Sequence, residues 1–321
     1  MFDVYFYEAF HEESAAMRRC LPNDVQAGFT PKTIQESNDT EPPASVISVR
    51  TQSILPVEWA NRLRGILTRS TGYDHIIDFR VRSARRLAAG WLPLYCSRAV
   101  AEHALILVMA LLRRLPLQMR QFHSFHRDSI TGRECLNRRL LVVGVGNIGG
   151  ETVRLSQAMG METRGIDLVR KHDFVNYTTL EESLGWAEVI VCAMNLTAEN
   201  QGYFDYATLK NARAGLVFVN ISRGELSPSS DLLRLINEGH LGGIGLDVYS
   251  HESELAVALR GNRSSADPKV QAVLALAQRP DVLLTPHNAF NTEESVERKA
   301  AQSVQQIAHF LRHGTFLWPV P

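Results

Sequence analysis

The sequence predicts an α/β protein with two doubly wound parallel-sheet domains, one of them inserted in the other. Its 321 residues suffice for two domains, each with a core of its own. From residue 139 to residue 286, short apolar runs typical of buried strands alternate regularly with stretches typical of helices. Residues 1–98 repeat this rhythm more weakly. Strands that alternate with helices form parallel sheets, whose two faces the helices cover.

In the first 98 residues, three short apolar runs indicate strands, and one stretch indicates a helix between two of them. Residues 32–45 are polar, contain paired prolines and are predicted to form a loop. Apolar residues interrupt the arginines of residues 80–86, which favours a solvated helix face over a nucleic-acid site. The strand segments are DVYFYEA, SVISVR and GILTRS, and the helical segment is PVEWANRLR.

The next segment, residues 97–122, predicts a long helix whose start Ser97 can cap. Apolar residues recur on nearly all of its faces, so the helix is either well buried or lies in an interface. Pro116 should kink or break it, because proline lacks the N–H that a helix interior needs.

From residue 139 onward the chain predicts six strands in turn, joined by helices. Ser227 and Pro228 are expected at the N-cap and the first position of the helix before the fifth strand. The strand segments are RLLVVGVG, METRGID, EVIVCAM, GLVFVNIS, GGIGLDVY and DVLLTP. The helical segments are NIGGETVRLSQAMG, YTTLEESLGWA, DYATLKNAR, SPSSDLLRLINEGH and PKVQAVLALAQ.

The last helix, residues 292–314, follows after this series is complete. We expect it to pack back on the first domain, which makes that domain discontinuous in sequence. The predicted division is therefore residues 1–98 with 291–321 in one domain and residues 99–290 in the other.

Composition excludes several classes of function. The net charge is zero and the pI is near 7.2, so the sequence carries no electrostatic footprint for nucleic acid or an anionic membrane. The most apolar segment, residues 99–112, is too short to span a bilayer. No secretory signal is evident, and the widely spaced cysteines form no zinc motif, which favours reduced thiols and a cytoplasmic location. The cysteines are Cys20, Cys96, Cys135 and Cys192.

One glycine motif predicts a dinucleotide site. Gly144, Gly146 and Gly149 form a GxGxxG that follows a predicted buried strand and opens a predicted helix. In this context the glycines allow a tight turn, a close approach of pyrophosphate and close packing of helix on strand. The helix N-terminus offers free N–H groups to phosphate. A glycine-rich turn without a ligand is the competing interpretation.

Asp167 supports NAD as the dinucleotide. It ends the second strand of the series, about 20 residues after the motif, where a carboxylate accepts both ribose hydroxyls and repels a 2′-phosphate. A surface carboxylate is the alternative, and the nearby Arg170 leaves some NADP tolerance open.

Charged residues follow the later strands of the same sheet. Arg223 comes after the fourth, Asp247 and Glu252 after the fifth, and His287 after the sixth. Ligands of open α/β sheets bind at the carboxyl ends of the strands, so these groups should converge near the nicotinamide. Individually, Arg223 and Glu252 are more typical of surface ion pairs; together with a dinucleotide motif, they indicate a reaction centre.

The residue types suit reduction of a 2-keto acid. Histidine can donate or accept a proton near neutral pH, and a carboxylate beside it orients the ring. Arginine can bind the carboxylate of the substrate and polarise its carbonyl group. The cofactor would carry the hydride.

At these residues the sequence resembles the D-isomer-specific 2-hydroxyacid dehydrogenases. The resemblance runs from about residue 66 to the end, and the most specific segments are GVGNIG, NISRGEL, GLDVYSHE and TPHNAF. It implies a Rossmann NAD-binding domain inserted in a flavodoxin-like substrate domain. It also implies that Arg223 binds substrate, that Glu252 supports the histidine and that His287 is the acid/base.

The resemblance implies further site residues and a partner. Backbone N–H groups of the loop Ser70, Thr71, Gly72 and Tyr73 would bind the substrate carboxylate. A homodimer would form largely through the 97–120 helix, and the cleft would close over substrate and exclude water. The positions that would line the NAD site are Asn147, Ile148, Asp167, Met194, Asn195, Asn200, Ile221, Ser222 and Asp247.

Within the family, the segments TRSTGYDHI and TPHNAFNTEES look closest to D-lactate dehydrogenases, which favours pyruvate as substrate. Several departures leave the substrate open, among them Asn291 in place of an aromatic residue, Asn195 in place of a proline, and Pro228 in place of an aspartate. A reductase of glyoxylate, hydroxypyruvate or a bulkier keto acid is one alternative. An NADH-sensing scaffold like the corepressors of this fold is another, although the long tail usual in those proteins is not evident.

Overall fold

The computed structural model describes residues 2–261 and 265–321. Two compact units make up the chain: Met1–Cys96 with Asn291–Pro321 forms the first, and Ser97–Phe290 forms the second. The first boundary lies two residues before the predicted one, because Ser97 already belongs to the long helix that opens the second unit.

Eleven strands and twelve α-helices are defined within the described residues. The strands are β1 Val4–Phe6, β2 Ala27–Phe29, β3 Val46–Val49, β4 Gly65–Thr68, β5 Ala88–Gly90, β6 Arg139–Val143, β7 Glu162–Ile166, β8 Val189–Cys192, β9 Leu216–Asn220, β10 Leu241–Leu246 and β11 Val282–Leu284. The helices are α1 His11–Cys20, α2 Ile34–Ser37, α3 Asp74–Ser83, α4 Ser97–Leu112, α5 Leu115–Gln121, α6 Asn147–Ala158, α7 Leu180–Leu184, α8 Tyr206–Lys210, α9 Ser229–Asn237, α10 Glu252–Arg260, α11 Pro268–Ala277 and α12 Glu293–His313.

The first unit contains a five-stranded parallel sheet in the order β2-β1-β3-β4-β5. The three predicted strands are present, but β2 and β5 were missed, since each has three residues and a glycine that weakens the apolar pattern. PVEWANRLR forms a 3₁₀ segment, Val57–Asn61, rather than an α-helix. The predicted loop 32–45 contains the one-turn helix α2, which Thr33 and Glu36 stabilise through a capping box.

Helix α12 packs on α1 and on β4 within the first unit. The ring of Phe310 lies over Gly65, where a Cβ atom would meet it at 2.5 Å, so only glycine allows this close packing. Between α1 and α12 the side chains of Glu13, Arg69 and Lys299 are completely buried. Burial of three ionisable groups in one core requires that they pair with one another.

The second unit contains a six-stranded parallel sheet in the order β11-β10-β9-β8-β6-β7. Within this sheet the chain forms β6 first, then β7 on one side of β6, and then β8 on the other side. The strand order therefore reverses beside β6, and the GxGxxG loop that follows β6 lies at this switch point, where ligands of such sheets bind. The predicted fold class is confirmed for both units.

The structure bears on three local predictions of helices. The 97–122 segment breaks as expected: α4 ends at Leu112, Arg114 adopts φ +52°, and Pro116 lies in the first turn of α5. Helix α9 begins at Ser229 with Pro228 as its N-cap, one residue later than predicted, because the Ser227 hydroxyl accepts a hydrogen bond from Asn220 Nδ2 instead (2.8 Å). Helix α10 was not predicted, and it places Glu252 in its first turn.

Among the helices described, none combines the length and apolarity that crossing a bilayer requires.

Candidate active site

The glycine loop after β6 has the geometry that a dinucleotide needs. Gly144 adopts φ +90°, and a Cβ there would lie 2.3 Å from backbone atoms of Met194. A Cβ at Gly149 would lie 1.9 Å from the carbonyl oxygen of Gly144. At Gly146, by contrast, a Cβ would meet open space, and no side chain caps the N-terminus of α6 there. These observations fit a pyrophosphate placed against Gly146 and the first turn of the helix.

Asp167 lies at the carboxyl end of β7, beside this loop. Its Oδ2 accepts a hydrogen bond from Val145 N at 2.6 Å and its Oδ1 accepts one from Val169 N at 3.0 Å. The carboxylate is thus fixed next to the glycine loop, as a ribose-binding group must be. Asn147, the first residue of α6, accepts a hydrogen bond from Lys171 Nζ at 2.6 Å.

The segments after β8 and β9 are held together by hydrogen bonds. The Ser222 hydroxyl donates to the carbonyl oxygen of Met194. Asn200 Nδ2 donates to the carbonyl oxygen of Asn195 at 2.7 Å, which closes the loop after β8 on itself. Ile221 is buried, and its N–H donates to the carbonyl oxygen of Cys192 at 3.2 Å. The contacts that Met194, Asn195, Asn200, Ile221 and Ser222 are expected to make with NAD stay predictions.

Arg223, Glu252 and His287 follow three adjacent strands, β9, β10 and β11. His287 Nδ1 lies 2.8 Å from Glu252 Oε2 and 3.0 Å from Glu252 Oε1, and both side chains are about four-fifths buried, with 19% and 20% exposed. A neutral imidazole that donates from Nδ1 to a carboxylate keeps its Nε2 lone pair for a proton. The pair therefore has the geometry of an oriented acid/base.

The turn that carries Arg223 is tied to the segment that carries Glu252. A Cβ at Gly224 would lie 2.0 Å from the carbonyl carbon of Tyr249, so only glycine permits this contact between the two backbones. Asn220 Nδ2 donates to the carbonyl oxygen of Arg223 at 2.8 Å, and Arg223 Nη1 donates to the carbonyl oxygen of Ser222 at 2.9 Å. These contacts fix the position of the Arg223 backbone relative to the His287–Glu252 pair.

Asp247 holds the loop on which His287 lies. Its carboxylate is 1% exposed and accepts hydrogen bonds from Asn288 N (2.8 Å), Ala289 N (2.9 Å) and the Thr285 hydroxyl (2.6 Å). His287 itself adopts φ +51°, a left-handed conformation that is uncommon for residues other than glycine. Sequence reasoning assigned Asp247 to the NAD site, which stays a prediction; its contacts in the structure are with this loop.

The loop Ser70–Tyr73 belongs to the first unit, where it follows β4. The Ser70 hydroxyl donates to the carbonyl oxygen of Gly72 at 2.6 Å, and the Thr71 hydroxyl donates to that of Leu92 at 3.3 Å. The ring of Tyr73 packs edge-on against Trp91, with centroids 5.1 Å apart. The loop is therefore preformed, whether or not it receives a substrate.

Comparison with known proteins shows the family of the chain. Residues 105–289 match the model of the D-isomer specific 2-hydroxyacid dehydrogenase NAD binding domain, which is more than half of the chain. The chain belongs to this family. It is thus an NAD-dependent oxidoreductase that acts on 2-hydroxy acids, and the predicted cofactor, NAD, is confirmed.

The names of individual relatives agree with this family assignment. D-lactate dehydrogenase of Staphylococcus epidermidis is 27% identical over 259 residues, which cover 79% of this chain and 77% of that protein. An aromatic 2-oxoacid reductase of Clostridium sporogenes is 25% identical over the same shares of the two chains. The crystal structure of D-lactate dehydrogenase from Aquifex aeolicus, complexed with NAD and lactic acid, superposes with a TM-score of 0.86, 27% identity and 98% of each chain covered. The chain is therefore similar to D-lactate dehydrogenases along nearly its whole length.

Proposed function

We propose that this dehydrogenase interconverts pyruvate and D-lactate, with His287 as the acid/base, Glu252 as its support and Arg223 as the substrate-binding cation. The observation that carries the proposal is the 2.8 Å contact between His287 Nδ1 and Glu252 Oε2 at the carboxyl edge of the sheet that holds the glycine loop. An imidazole oriented in this way by a carboxylate is suited to general acid–base catalysis.

Each residue has one task in this scheme. His287 Nε2 protonates the keto oxygen in the direction of reduction and removes the hydroxyl proton in the direction of oxidation. Glu252 stabilises the protonated ring and fixes its orientation. The Arg223 guanidinium group binds the substrate carboxylate and polarises the carbonyl group beside it. NADH supplies the hydride when it is bound.

Other residues would position the substrate and the cofactor. We assign the substrate carboxylate also to the backbone N–H groups of Ser70–Tyr73. The pyrophosphate would lie against Gly146, Asn147 and Ile148, and the ribose hydroxyls against Asp167, since that carboxylate disfavours a 2′-phosphate. The remaining residues assigned to the NAD site are Met194, Asn195, Asn200, Ile221, Ser222 and Asp247.

Pyruvate is favoured because a relative named D-lactate dehydrogenase aligns over 91% of this chain at 27% identity, whereas the aromatic 2-oxoacid reductase aligns over 79% at 25% identity. The similarity to an aromatic 2-oxoacid reductase supports the alternative of a bulkier keto acid. Asn291 lies four residues after His287, and a polar side chain there, in place of an aromatic one, would leave a wider or more polar pocket.

The first experiment measures NADH oxidation at 340 nm with pyruvate, glyoxylate, hydroxypyruvate, 2-ketobutyrate and phenylpyruvate, with NADPH as the cofactor control. We expect pyruvate with NADH to give the highest kcat/KM. If phenylpyruvate gives the highest value, the pocket accepts bulky side chains and the proposed substrate is wrong. If NADH binds but none of the acids is reduced, the NADH-sensing alternative replaces the proposal.

A variant tests the role of His287. His287→Ala should lower kcat by roughly a hundredfold or more, the scale of general acid catalysis, while the Kd for NADH stays nearly the same. His313→Ala, which changes an exposed histidine at the end of α12, is the matched control and should leave kcat unchanged. Near-normal turnover by His287→Ala would refute the assigned role.

We also propose that two copies associate through α4 and α5. Large apolar side chains are exposed there, among them Ile106 (56%), Leu115 (45%) and Met119 (65%). Isolated exposed apolar residues are ordinary, but several on one surface indicate an interface. Light scattering should give about twice the mass of one chain, and Ile106→Glu should give monomers; a wild-type monomer would refute this association.

A further inference from the structure

A second histidine, His103, reaches the loop that carries His287. His103 lies on α4, and its Nε2 is 3.1 Å from the hydroxyl oxygen of Thr285. That hydroxyl donates its one proton to Asp247 Oδ1, at 2.6 Å. Since the hydroxyl proton is already used, the ring must be the donor in the first contact, so His103 carries a proton on Nε2.

The three groups form a directed chain that ends on a buried charge. His103 donates to Thr285, and Thr285 donates to the carboxylate of Asp247, which is 1% exposed and also lies 3.8 Å from His103 Nε2. Hydrogen bonds in such a chain polarise one another, and in a poorly solvated site the loss of one is costly. Removing the first donor therefore weakens the contact between Thr285 and Asp247.

The loop that Thr285 opens is held at several points. Thr285 N donates to the carbonyl oxygen of Leu246 at 2.9 Å, and the hydroxyl of Tyr249 donates to the carbonyl oxygen of Thr285 at 2.7 Å. His287, two residues on, has φ +51°, and such a backbone persists only where its surroundings hold it. The contact from His103 comes from a separate element, the long helix α4.

We propose that His103 is a positioning residue for the acid/base, which acts through Thr285 and Asp247 on the orientation of His287. This inference rests on the proposed function of His287. The contacts lie at the ends of β10 and β11, whereas the glycine loop follows β6, three strands away from β10 in the sheet. Asp247 is also assigned to the NAD site, but it keeps its hydrogen bonds from Asn288 N and Ala289 N when His103 is replaced. We therefore expect the loss of His103 to lower kcat more than it weakens NADH binding.

Two variants separate positioning from mere packing. In glutamine, the amide nitrogen is as many bonds from Cβ as Nε2 is in histidine, so His103→Gln preserves the donor. His103→Leu fills similar space without a donor. We expect His103→Leu to lower kcat roughly tenfold, since small misplacements of a catalytic group are costly. His103→Gln should keep most of the turnover, and in both variants the Kd for NADH, measured by fluorescence, should change less than kcat.

A double-mutant cycle identifies the path. Thr285→Val breaks the same chain one step later, so His103→Leu should lower kcat little further in the Thr285→Val background. Full additivity would mean that His103 acts by another route and would overturn the proposal.

Other outcomes are equally decisive. Wild-type kcat for His103→Leu, or equal losses for His103→Leu and His103→Gln, would also overturn the inference, and a lowered Tm with unchanged kcat would show a structural role only. His287→Ala, measured alongside, distinguishes this failure from failure of the proposed function: normal turnover there would remove the role of His287 itself.

Discussion

Replacing Glu13 by glutamine should destabilise the first unit strongly. Glu13 Oε1 contacts Arg69 Nε at 2.9 Å and Lys299 Nζ at 2.8 Å, and all three side chains are 0% exposed. The variant removes the carboxylate that both cations share. The Arg69 guanidinium stays buried and charged, whereas Lys299, whose pKa burial and Arg50 lower to about 7 even beside Glu13, can lose its proton. Breaking a buried ion pair by removing one partner costs about 3–5 kcal/mol, because the remaining charge stays desolvated.

The structure supplies a matched control on the same two helices. Arg19 of α1 and Glu297 of α12 form an ion pair whose side chains are 60% and 56% exposed. Solvent screens such a pair, so Glu297→Gln should leave the unfolding transition almost unchanged. The assay is unfolding in guanidinium, followed by circular dichroism and by tryptophan fluorescence, since two units can unfold in separate steps. If Glu13→Gln and Glu297→Gln shift the midpoint equally, burial does not decide the strength of these pairs.

The same cluster gives a pH dependence with a defined sign. Burial opposes ionisation of Glu13, but the charges of Arg69, Lys299 and Arg50 outweigh it and lower its pKa from 4.5 to about 2. A pKa that is lower in the folded protein contributes stability above the unfolded value, and this stability is lost as the pH falls from 4.5 to 2. Glu13→Gln should flatten that part of the stability profile, and an unchanged acid limb would contradict the assignment.

Three further outcomes follow from the second unit and from the cysteines. Gly144→Ala should abolish NADH binding, because its Cβ would lie 2.3 Å from the backbone of Met194 at φ +90°; wild-type affinity in a titration of the variant would contradict this. Thr179→Ala removes the capping box with Glu182 and should cost about 1 kcal/mol in denaturant unfolding, whereas no change would mean that this helix start adds nothing to stability. An aromatic disulfide reagent should label the exposed Cys20 in the native protein but not Cys192, since burial raises the pKa of the Cys192 thiol to about 12; equal labelling would contradict this.

Local signals in the sequence were sufficient for the second unit. Most of its strands are apolar runs, with β7 (ETRGI) the exception, and the six predicted strands are present in the predicted order along the chain. The glycine motif was readable because turn, helix start and strand are neighbours in sequence. The weak points were β2 and β5, which have three residues each, and α10, which begins at the last residue of the motif GLDVYSHE and for which no helix was predicted.

The sequence by itself determined which residue types follow the strands, namely Asp167, Arg223, Glu252 and His287, because the alternation of strand and helix segments is readable along the chain. Only the tertiary structure decided which side chains hold these residues in place. His103 and Asp247 are 144 positions apart, yet both reach Thr285. Glu13, Arg69 and Lys299 come from three distant segments and meet in one core. Pairing between distant polar groups depends on which elements pack together, and no local pattern encodes that choice.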